Sequence, residues 1–486
     1  MATMRSLLTI VGSGLLYYYS EGYHSAWYLM WIAPVPILLY VVEHRFWPSV
    51  IVSFCALFFR SLNFLIGEQT IGPHGGFLVE CMINTAAWTG IFLLVRYFAK
   101  RHRTALFMYP CAIAILEWLQ SIGPGGTFAT IAYSQLPVLP VVQIASLTGF
   151  YGVSFILSLF SAAIAYCCLI YKAKIKRLWI PFLSFAIVLA SVSFGVVRLQ
   201  RYDTKSLPSI SAGLASIQTD RERVLDPSQA DDLANEYIPL IENLASQGAQ
   251  VVLLPEEMSS FTQEAKLPLQ NKWGEIANNS HVLLIVGFRE YAGATVYNIA
   301  WVFDPHGQLL GEYRKMHLVP IFEDRLDPGN QLFIFSMGDQ KAAVAICRDL
   351  DYPNPARAYG EKGVGLLFVP AWDFEVDAYY HAQGAFMRGI ENGYSIVRSS
   401  RFGLLTVTSP TGQMVAETPA VDIPSAILMA TTPVALETSF YAKYPWLFIT
   451  LVGALFVLGV IIFFPPKTNT KNRDPRQRTG RYFAKD

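Results

Sequence analysis

Eight apolar stretches limit what this chain can fold into more than any other feature. They fall at about 6–20, 24–43, 47–66, 77–98, 104–121, 150–171, 178–197 and 445–464, each near the roughly 20 residues a helix needs to cross a bilayer. The first has an Arg5 in front of it, as a secretory leader would, but no small-residue cleavage site follows and six more apolar stretches do before the polar region at about 208, so it reads as a retained span. With 53% hydrophobic and only 15% charged residues, against roughly 25% charged in a soluble domain, the chain reads as a membrane protein. A net charge of +1 excludes bulk electrostatic binding to nucleic acid. No self-similar block suggests a solenoid or propeller.

Lysine and arginine in short loops predict orientation, because they resist translocation while long domains pass regardless. The breaks at 67–76 and 122–149, read as hydrophilic loops, contain neither residue. The alternate breaks hold Arg96, Lys100, Arg101 and Arg103, then Lys172, Lys174, Lys176 and Arg177, and the tail adds Lys467, Lys471, Arg473, Arg476, Arg478, Arg481 and Lys485. The expected plan is a bundle of seven transmembrane helices over 1–205, a soluble domain on the outer side over 206–440, a closing transmembrane helix over 441–465 and a basic cytoplasmic tail over 466–486. Arg198, Arg201 and Lys205 on the outer flank dissent, but fewer in number. The predicted location is a membrane, crossed by multiple helices.

Five of the six cysteines lie in or beside apolar stretches; Cys347 stands apart, in the polar region. It has no partner there for a disulfide and no CxxC or His-rich neighbourhood for a metal, which leaves a buried inert thiol or a reactive one. The same region alternates β-branched runs (251–255, 282–288, 296–303, 342–346, 364–370, 394–400 and 404–410) with helical patterns at 228–246, 264–280 and 376–392. Such alternation predicts an α/β fold with its active groups at the carboxyl ends of strands. Glu256 and Cys347 each follow a strand.

A cysteine nucleophile needs a base and donors for the oxyanion it creates. The region's histidines, His281, His306, His317 and His381, offer no recognisable Cys–His context, which directs attention to a carboxylate with a lysine. LLPEEM at 253–258, YRKMHLVPIFED at 313–324 and AICRDLDYP at 345–353 occur in that order. Together they resemble the Glu-Lys-Cys motifs of the carbon-nitrogen hydrolase (nitrilase) superfamily. The resemblance implies an αββα sandwich with Glu256 as general base, Lys315 as stabiliser of the tetrahedral oxyanion and Cys347 as nucleophile. It also implies support from Glu323, a second oxyanion donor in the backbone N–H of Arg348, and a structural place for Glu391 in RGIENGYSIVRSSRFG. Glu257 is read as a solvated neighbour. His317 and Asp349 are open to a supporting role or to none.

LEWLQ at 116–120, IAYSQ at 131–135 and PVVQIASLTGFYGVSF at 140–155 resemble segments of the bacterial apolipoprotein N-acyltransferases, which narrows the likeness to one branch. That branch implies a ping-pong reaction. The sn-1 acyl chain of a phospholipid passes to the cysteine as a thioester, and then to the N-terminal amine of a diacylglyceryl apolipoprotein, with no cofactor and no metal. The chain departs from the branch at GGTFAT (125–130), at Pro320-Ile321-Phe322-Glu323 and at Arg348-Asp349, positions that bear on substrate fit. The triad serves equally an anchored amidase in which water resolves the thioester; a silent binding protein and a transporter are further readings. Two ionisable residues fall in predicted spans: Glu117, expected to hydrogen-bond within the bundle, and Arg60, expected to snorkel to the headgroups. Trp372, Phe374, Tyr379, Tyr380 and Phe386 are candidates for an interfacial arm.

Overall fold

The computed structural model describes residues 2–464 apart from 25, 72–74, 173–177, 203–205, 219–222 and 422. Lys174, Lys176, Arg177, Lys205 and the basic tail over 466–486 therefore lie outside the described residues.

Each of the eight apolar stretches contains a helix: Ala2–Ser20, Val35–Glu43, Phe46–Ile71, Gly75–Ala99, Tyr109–Ser121, Phe150–Lys172, Trp179–Arg201 and Leu447–Phe463. Four described helices, Phe46–Phe64 within its longer helix, Gly76–Ala99, Phe150–Lys172 and Trp179–Arg201, are long and apolar enough to cross a membrane. At 1.5 Å per residue, the last two reach about 35 Å, against a hydrocarbon core of about 30 Å. Two expected spans are divided instead. Trp27–Leu29 and Arg103–Met108 are 3-10 turns that precede shorter helices. Pro34 and Pro110 sit at the starts of those helices, where a missing backbone N–H costs nothing.

The segment 122–149 is not a hydrophilic loop. Ile131–Gln135 is wholly buried, and Val141, Val142, Ala145 and Ser146 are buried too. Lacking Lys and Arg, it can fold back into the apolar core, provided its polar groups find partners. Thr130 caps the Ile131 turn through Ala132 N, and Gln135 reaches Trp27 O and Trp31 Nε1.

The α/β region contains two sheets packed face to face. In the first, the strands run Ser425–Pro433, Ser209–Ile217, Val251–Leu253, Leu283–Ala292, Thr295–Phe303 and Leu309–Arg314. Ser260–Thr262 continues the line of Val251–Leu253 along Leu283–Ala292, so the two short strands share one neighbour and are separated by the turn 254–259. The second sheet runs in chain order through Phe333–Met337, Gln340–Val344, Leu366–Trp372, Ser395–Arg401, Leu404–Thr408 and Met414–Pro419, its central three strands parallel. Leu214, Leu253, Ile285 and Val302 of one sheet meet Val344, Phe368, Val397 and Leu405 of the other, which is how period-2 strands with two covered faces bury both.

Helices Ala230–Ser246 and Lys266–Ser280 cover the outside of the first sheet. Pro353–Glu361 and Ala378–Asn392 cover the second. This is the expected αββα sandwich. Ala378–Asn392 is buried along almost its whole length because it has two hosts. Ala385 packs toward the sheet, while Tyr380, Phe386, Met387 and Ile390 join the core of the helical bundle. Tyr380 and Phe386 are thus packing residues, whereas Tyr379 is exposed.

Candidate active site

Strand ends position the three motif groups. Glu256 lies in the turn after Val251–Leu253, an inner strand of the first sheet, where its N–H reaches Ala371 O of the opposite sheet. That turn crosses Gly287 so closely that a Cβ there would stand 2.3 Å from Pro255 O, so only glycine fits. Lys315 follows directly on Leu309–Arg314, its N–H bonded to Asn298 O. Cys347 opens a 3-10 turn after Gln340–Val344, in a left-handed conformation with φ of 45° that a side chain rarely adopts.

The sequence motifs converge. Lys315 Nζ lies 2.7 Å from Glu256 Oε1 and 2.8 Å from Glu323 Oε2, and Lys315 is 1% exposed. Asn298, which sequence reasoning passed over, donates through one amide nitrogen to Glu256 Oε1 at 2.6 Å and Glu323 Oε1 at 2.9 Å. Val319 N adds a bond to Glu323 Oε2. Cys347 is buried, its Sγ directed at Trp372 O at 3.5 Å, within the electrostatic reach of Glu256 and Lys315. Two carboxylates thus share one ammonium beside a thiol.

Burial sets the protonation of these groups. It pushes Glu256 up against the pull of Lys315, and the charges of Glu323 and Glu257 push the same way. Burial works against Glu323 too, but Lys315, Val319 N–H and Asn298 outweigh it and hold that carboxyl low. Lys315 is held well above the ordinary range because both carboxylates overcome its desolvation. The Cys347 thiol is raised, by burial first and by Glu256, with His381 and Lys315 opposing. A carboxylate of raised basicity next to a protonated thiol can take its proton.

Asp349 ties the lysine segment to the nucleophile turn. Its carboxylate accepts from Tyr313 OH, Ile346 N, Met316 N and His317 N, at 2.7 to 3.0 Å. It is a positioning residue, and His317 leans on it at 3.1 Å. The Arg348 N–H follows directly on the nucleophile, and its side chain turns to Pro124 O at 2.6 Å. Glu257 is not solvated. It is 1% exposed and forms a bidentate pair with Arg289 at 2.9 and 2.8 Å, because its φ of 44° turns it inward, away from Glu256. Glu391 accepts from Phe150 N at 2.6 Å and pairs with Arg388, which fastens the domain to the start of helix Phe150–Lys172.

The reading that no histidine belongs with Cys347 is corrected by the fold. His381 Nε2 stands 4.0 Å from Cys347 Sγ, and its Nδ1 3.1 Å from Asp373 Oδ1. Asp373 lies at the carboxyl end of Leu366–Trp372, and Asp377 and His381 are four residues apart. Placement after a strand is the signal already used for Glu256 and Cys347, and it was readable for Asp373, as was the i,i+4 pairing of Asp377 with His381. Sγ, an Asp373 oxygen and a His381 nitrogen lie within 4.8 Å of one another, a spacing open to a metal. The donor set argues otherwise, since Arg398 grips both Asp373 oxygens and Ser400 adds a bond. A carboxylate so engaged has little left for an ion.

The bundle reaches into this site. Thr127 bonds Asp351 O through both N and Oγ1 at 2.7 Å, and Tyr352 OH reaches Pro124 O. Gly126, with φ of 57°, passes so close to Asp351 that a Cβ would stand 2.5 Å from its carbonyl oxygen. Glu117 behaves as expected, accepting from Ile131 N at 2.8 Å. Arg60 does not snorkel. It is 2% exposed, pairs with Glu21, donates to Ala129 O and lies over the Trp88 ring, because irregular backbone at that depth offers it partners that headgroups would otherwise supply. A cavity of about 440 Å³ opens along the seam, lined among others by Trp118, Tyr151, His317, Tyr352, Arg357 and Trp446.

Comparison with known proteins agrees with this geometry. The Carbon-nitrogen hydrolase family model matches residues 213–429, and that of the Apolipoprotein N-acyltransferase N-terminal domain matches residues 13–163. The apolipoprotein N-acyltransferase of Shewanella oneidensis is 23% identical over 89% of this chain and 92% of its own length. That of Geobacter metallireducens is 24% identical over 72% of this chain and 73% of its own. A nitrilase of Pyrococcus abyssi is 30% identical over 37% of this chain and 72% of its own. The first two cover more of the chain than the α/β region alone and so extend into the helical bundle. The chain belongs to the carbon-nitrogen hydrolase (nitrilase) superfamily and, within it, to the apolipoprotein N-acyltransferases.

Proposed function

We propose that this protein is an integral membrane enzyme that acylates the N-terminal amine of lipoproteins, in two half-reactions on Cys347. The observation that carries the reading is the buried convergence of Glu256, Lys315 and Glu323 beside Cys347 in a domain packed on an apolar bundle. Glu256 takes the thiol proton as Sγ attacks the sn-1 ester carbonyl of a phospholipid. The S–C bond forms, and the carbonyl electron pair moves to oxygen, met by the Lys315 ammonium and the Arg348 N–H. Collapse breaks the ester C–O bond, and Glu256 returns its proton to the departing lysophospholipid. The amine of a diacylglyceryl-cysteine then attacks the thioester. Glu256 takes the amine's proton, collapse expels the Cys347 thiolate, and that proton returns to sulfur. Glu323 and Asn298 hold Lys315 and Glu256 in register throughout. The seam cavity, apolar and shared between bundle and domain, suits lipid approaching from the bilayer.

In this reading the catalytic domain is periplasmic, eight spans cross the inner membrane and the tail is cytoplasmic. Charge supports that orientation. Arg5 and Lys172 meet at Glu43, Arg96 donates to His44 O, and Arg103 to Leu169 O. Segment 122–149, without a Lys or Arg, contacts the α/β domain at Asp351 and Thr411.

The test uses purified full-length protein with a phospholipid labelled in its sn-1 chain. Label should appear on Cys347 before any acceptor is added and be released by hydroxylamine. A diacylglyceryl lipopeptide with a free amine should convert it to an amide, and an N-acetylated one should not. Free fatty acid without amide product overturns the acyltransferase in favour of a hydrolase, and the absence of label overturns the thioester.

A further inference from the structure

The Glu-Lys-Cys arrangement leaves one group beside the sulfur without a task. His381 is carried by Ala378–Asn392, the helix wedged between the second sheet and the bundle, so its place is fixed by packing on both sides. Its Nε2 faces Cys347 Sγ at 4.0 Å and Asp351 Oδ2 at 3.7 Å. Its Nδ1 faces Asp373 Oδ1 at 3.1 Å and Asp377 Oδ2 at 3.8 Å. The ring is flanked on both edges by carboxylates. Asp351 is 3% exposed and Asp373 not at all. Asp373 is itself neutralised by Arg398, and Arg348 Nη1 stands 3.8 Å from Asp351.

We propose that His381 is a further catalytic residue: a fixed imidazolium, held between Asp373 and Asp351, that stabilises the negative charge on Cys347 sulfur whenever the thiolate forms. The Coulomb sums agree. Burial works against a charged ring, but Cys347, Asp351 and Asp373 carry His381 well above the ordinary histidine range. Asp377, raised by burial to about 7, adds a third carboxylate neighbour as it ionises. Facing Cys347 are Glu256, which opposes the thiolate, and His381, then Lys315, which favour it. Lys315 is already committed to two carboxylates. His381, unlike Lys315, is not paired with Glu256, and of the cations that act on the thiol, Arg348 and Arg398 included, it stands at 4.0 Å from Sγ.

Its consequence falls on both half-reactions. As Glu256 takes the thiol proton, Sγ loses its contact with Trp372 O, an oxygen that repels a thiolate, and the imidazolium supplies the compensating attraction. When the amine adduct collapses, the same sulfur leaves as a thiolate and meets the same charge. The ring keeps both protons throughout. Glu256 remains the only base, so no atom or electron is transferred through His381.

The catalytic meaning rests on the thioester reading, but the charge pairing does not, and the experiment uses a reagent that needs no lipid. The full-length protein is alkylated with iodoacetamide across pH 5 to 11, and modification of the Cys347 peptide is followed by mass spectrometry. Replacing His381→Gln should move the half-maximal pH up by one unit or more, slowing alkylation at neutral pH about tenfold, with the limiting rate at high pH within about threefold of the parent. His381→Lys, which keeps a cation and discards the ring, should hold the profile within about half a unit. Coincident profiles for His381→Gln and the parent overturn the proposal. If His381→Gln does not fold, His381→Lys decides. A parent-like profile sustains a role for the charge, and an upward move of a unit overturns it. Loss of acyl transfer with an unmoved profile assigns His381 to packing alone, while a moved profile in a protein that makes no thioester fails the acyltransferase reading and leaves this one standing.

Discussion

The bundle and the α/β domain each bury charge, and they use it differently. In the bundle, buried polar groups brace irregular backbone. Arg60 meets Glu21 and Ala129 O, Glu117 takes Ile131 N, and Asn63 donates to Tyr18 O and Glu21 O. In the domain, Glu256, Glu323 and Lys315 meet one another around a thiol, with two acids to one cation. A charge matched to a peptide group has one stable protonation state and holds a shape. An acid in excess beside a thiol has a proton to exchange, and does chemistry. Removing the first kind should lower stability, and removing the second should lower turnover.

The sharpest break between the two is Cys347→Ala, which should abolish acyl transfer, a loss on the order of 10⁴-fold or more, while the thermal melting curve in detergent stays close to the parent's. Melting far below the parent would place the thiol among the structural groups. Lys315→Met should remove turnover as fully, and also stability. It leaves two carboxylates facing each other without a cation, costing about 3 to 5 kcal/mol. Its sign with pH is diagnostic. Without the lysine, both acids are raised above their unfolded values, so this variant should gain more stability as pH falls than the parent, in which Glu256 is raised but Glu323 is held low. Chemical denaturation at pH 5 and pH 8 measures it.

On the bundle side, Arg60→Leu should cost about 3 to 5 kcal/mol by leaving Glu21 buried and unpaired. Adding Glu21→Gln should restore much of it, a coupling that a double-mutant cycle reads directly. Turnover per folded molecule should fall by less than for any of the three catalytic groups. Glu257→Gln sits between the classes. It breaks one half of a bidentate pair with Arg289 and should cost about 1.5 to 3 kcal/mol with a several-fold loss of rate, since the same turn carries Glu256. Full activity with an unchanged melt would sink that placement. The smallest effect is in the pH profile. Glu256 must be ionised to take a proton and is raised by burial, so kcat/KM should fall on the acid side at a pH above the ordinary carboxylate range of about 4.3. Glu323, held low by Lys315, contributes stability above the unfolded value that is lost only as pH falls through its depressed one. Activity should therefore fail at a higher pH than folding does.

What the sequence by itself determined is whatever is written in consecutive residues. Apolar length marked a helix in each of the eight stretches but not the short helices Leu139–Val142 and Ala145–Thr148, because crossing a bilayer or filling a bundle core demands a long hydrophobic run. Period-2 runs marked the central strands, and three ordered motifs named Glu256, Lys315 and Cys347. Ser209–Ile217, paired on both sides, and the edge strand Met414–Pro419 escaped notice, their alternation diluted by small and polar residues. What only the tertiary structure decided is where one group meets another far along the chain. Glu257 was misjudged because a backbone angle, not a neighbouring residue, turns it toward Arg289. Arg60 was sent to the headgroups because its partners, Glu21 and Ala129, lie 39 and 69 residues away. Segment 122–149 looked like a loop because some of the partners that let its polar atoms be buried, Asp351 and Thr411, lie more than 200 residues on. His381 was dismissed for want of a motif around it, yet it reaches Cys347 because a helix gripped by both a sheet and a bundle can stand in one place only. Burial and pairing are properties of the folded surface, and a linear chain specifies them only through the packing that brings distant residues within 4 Å.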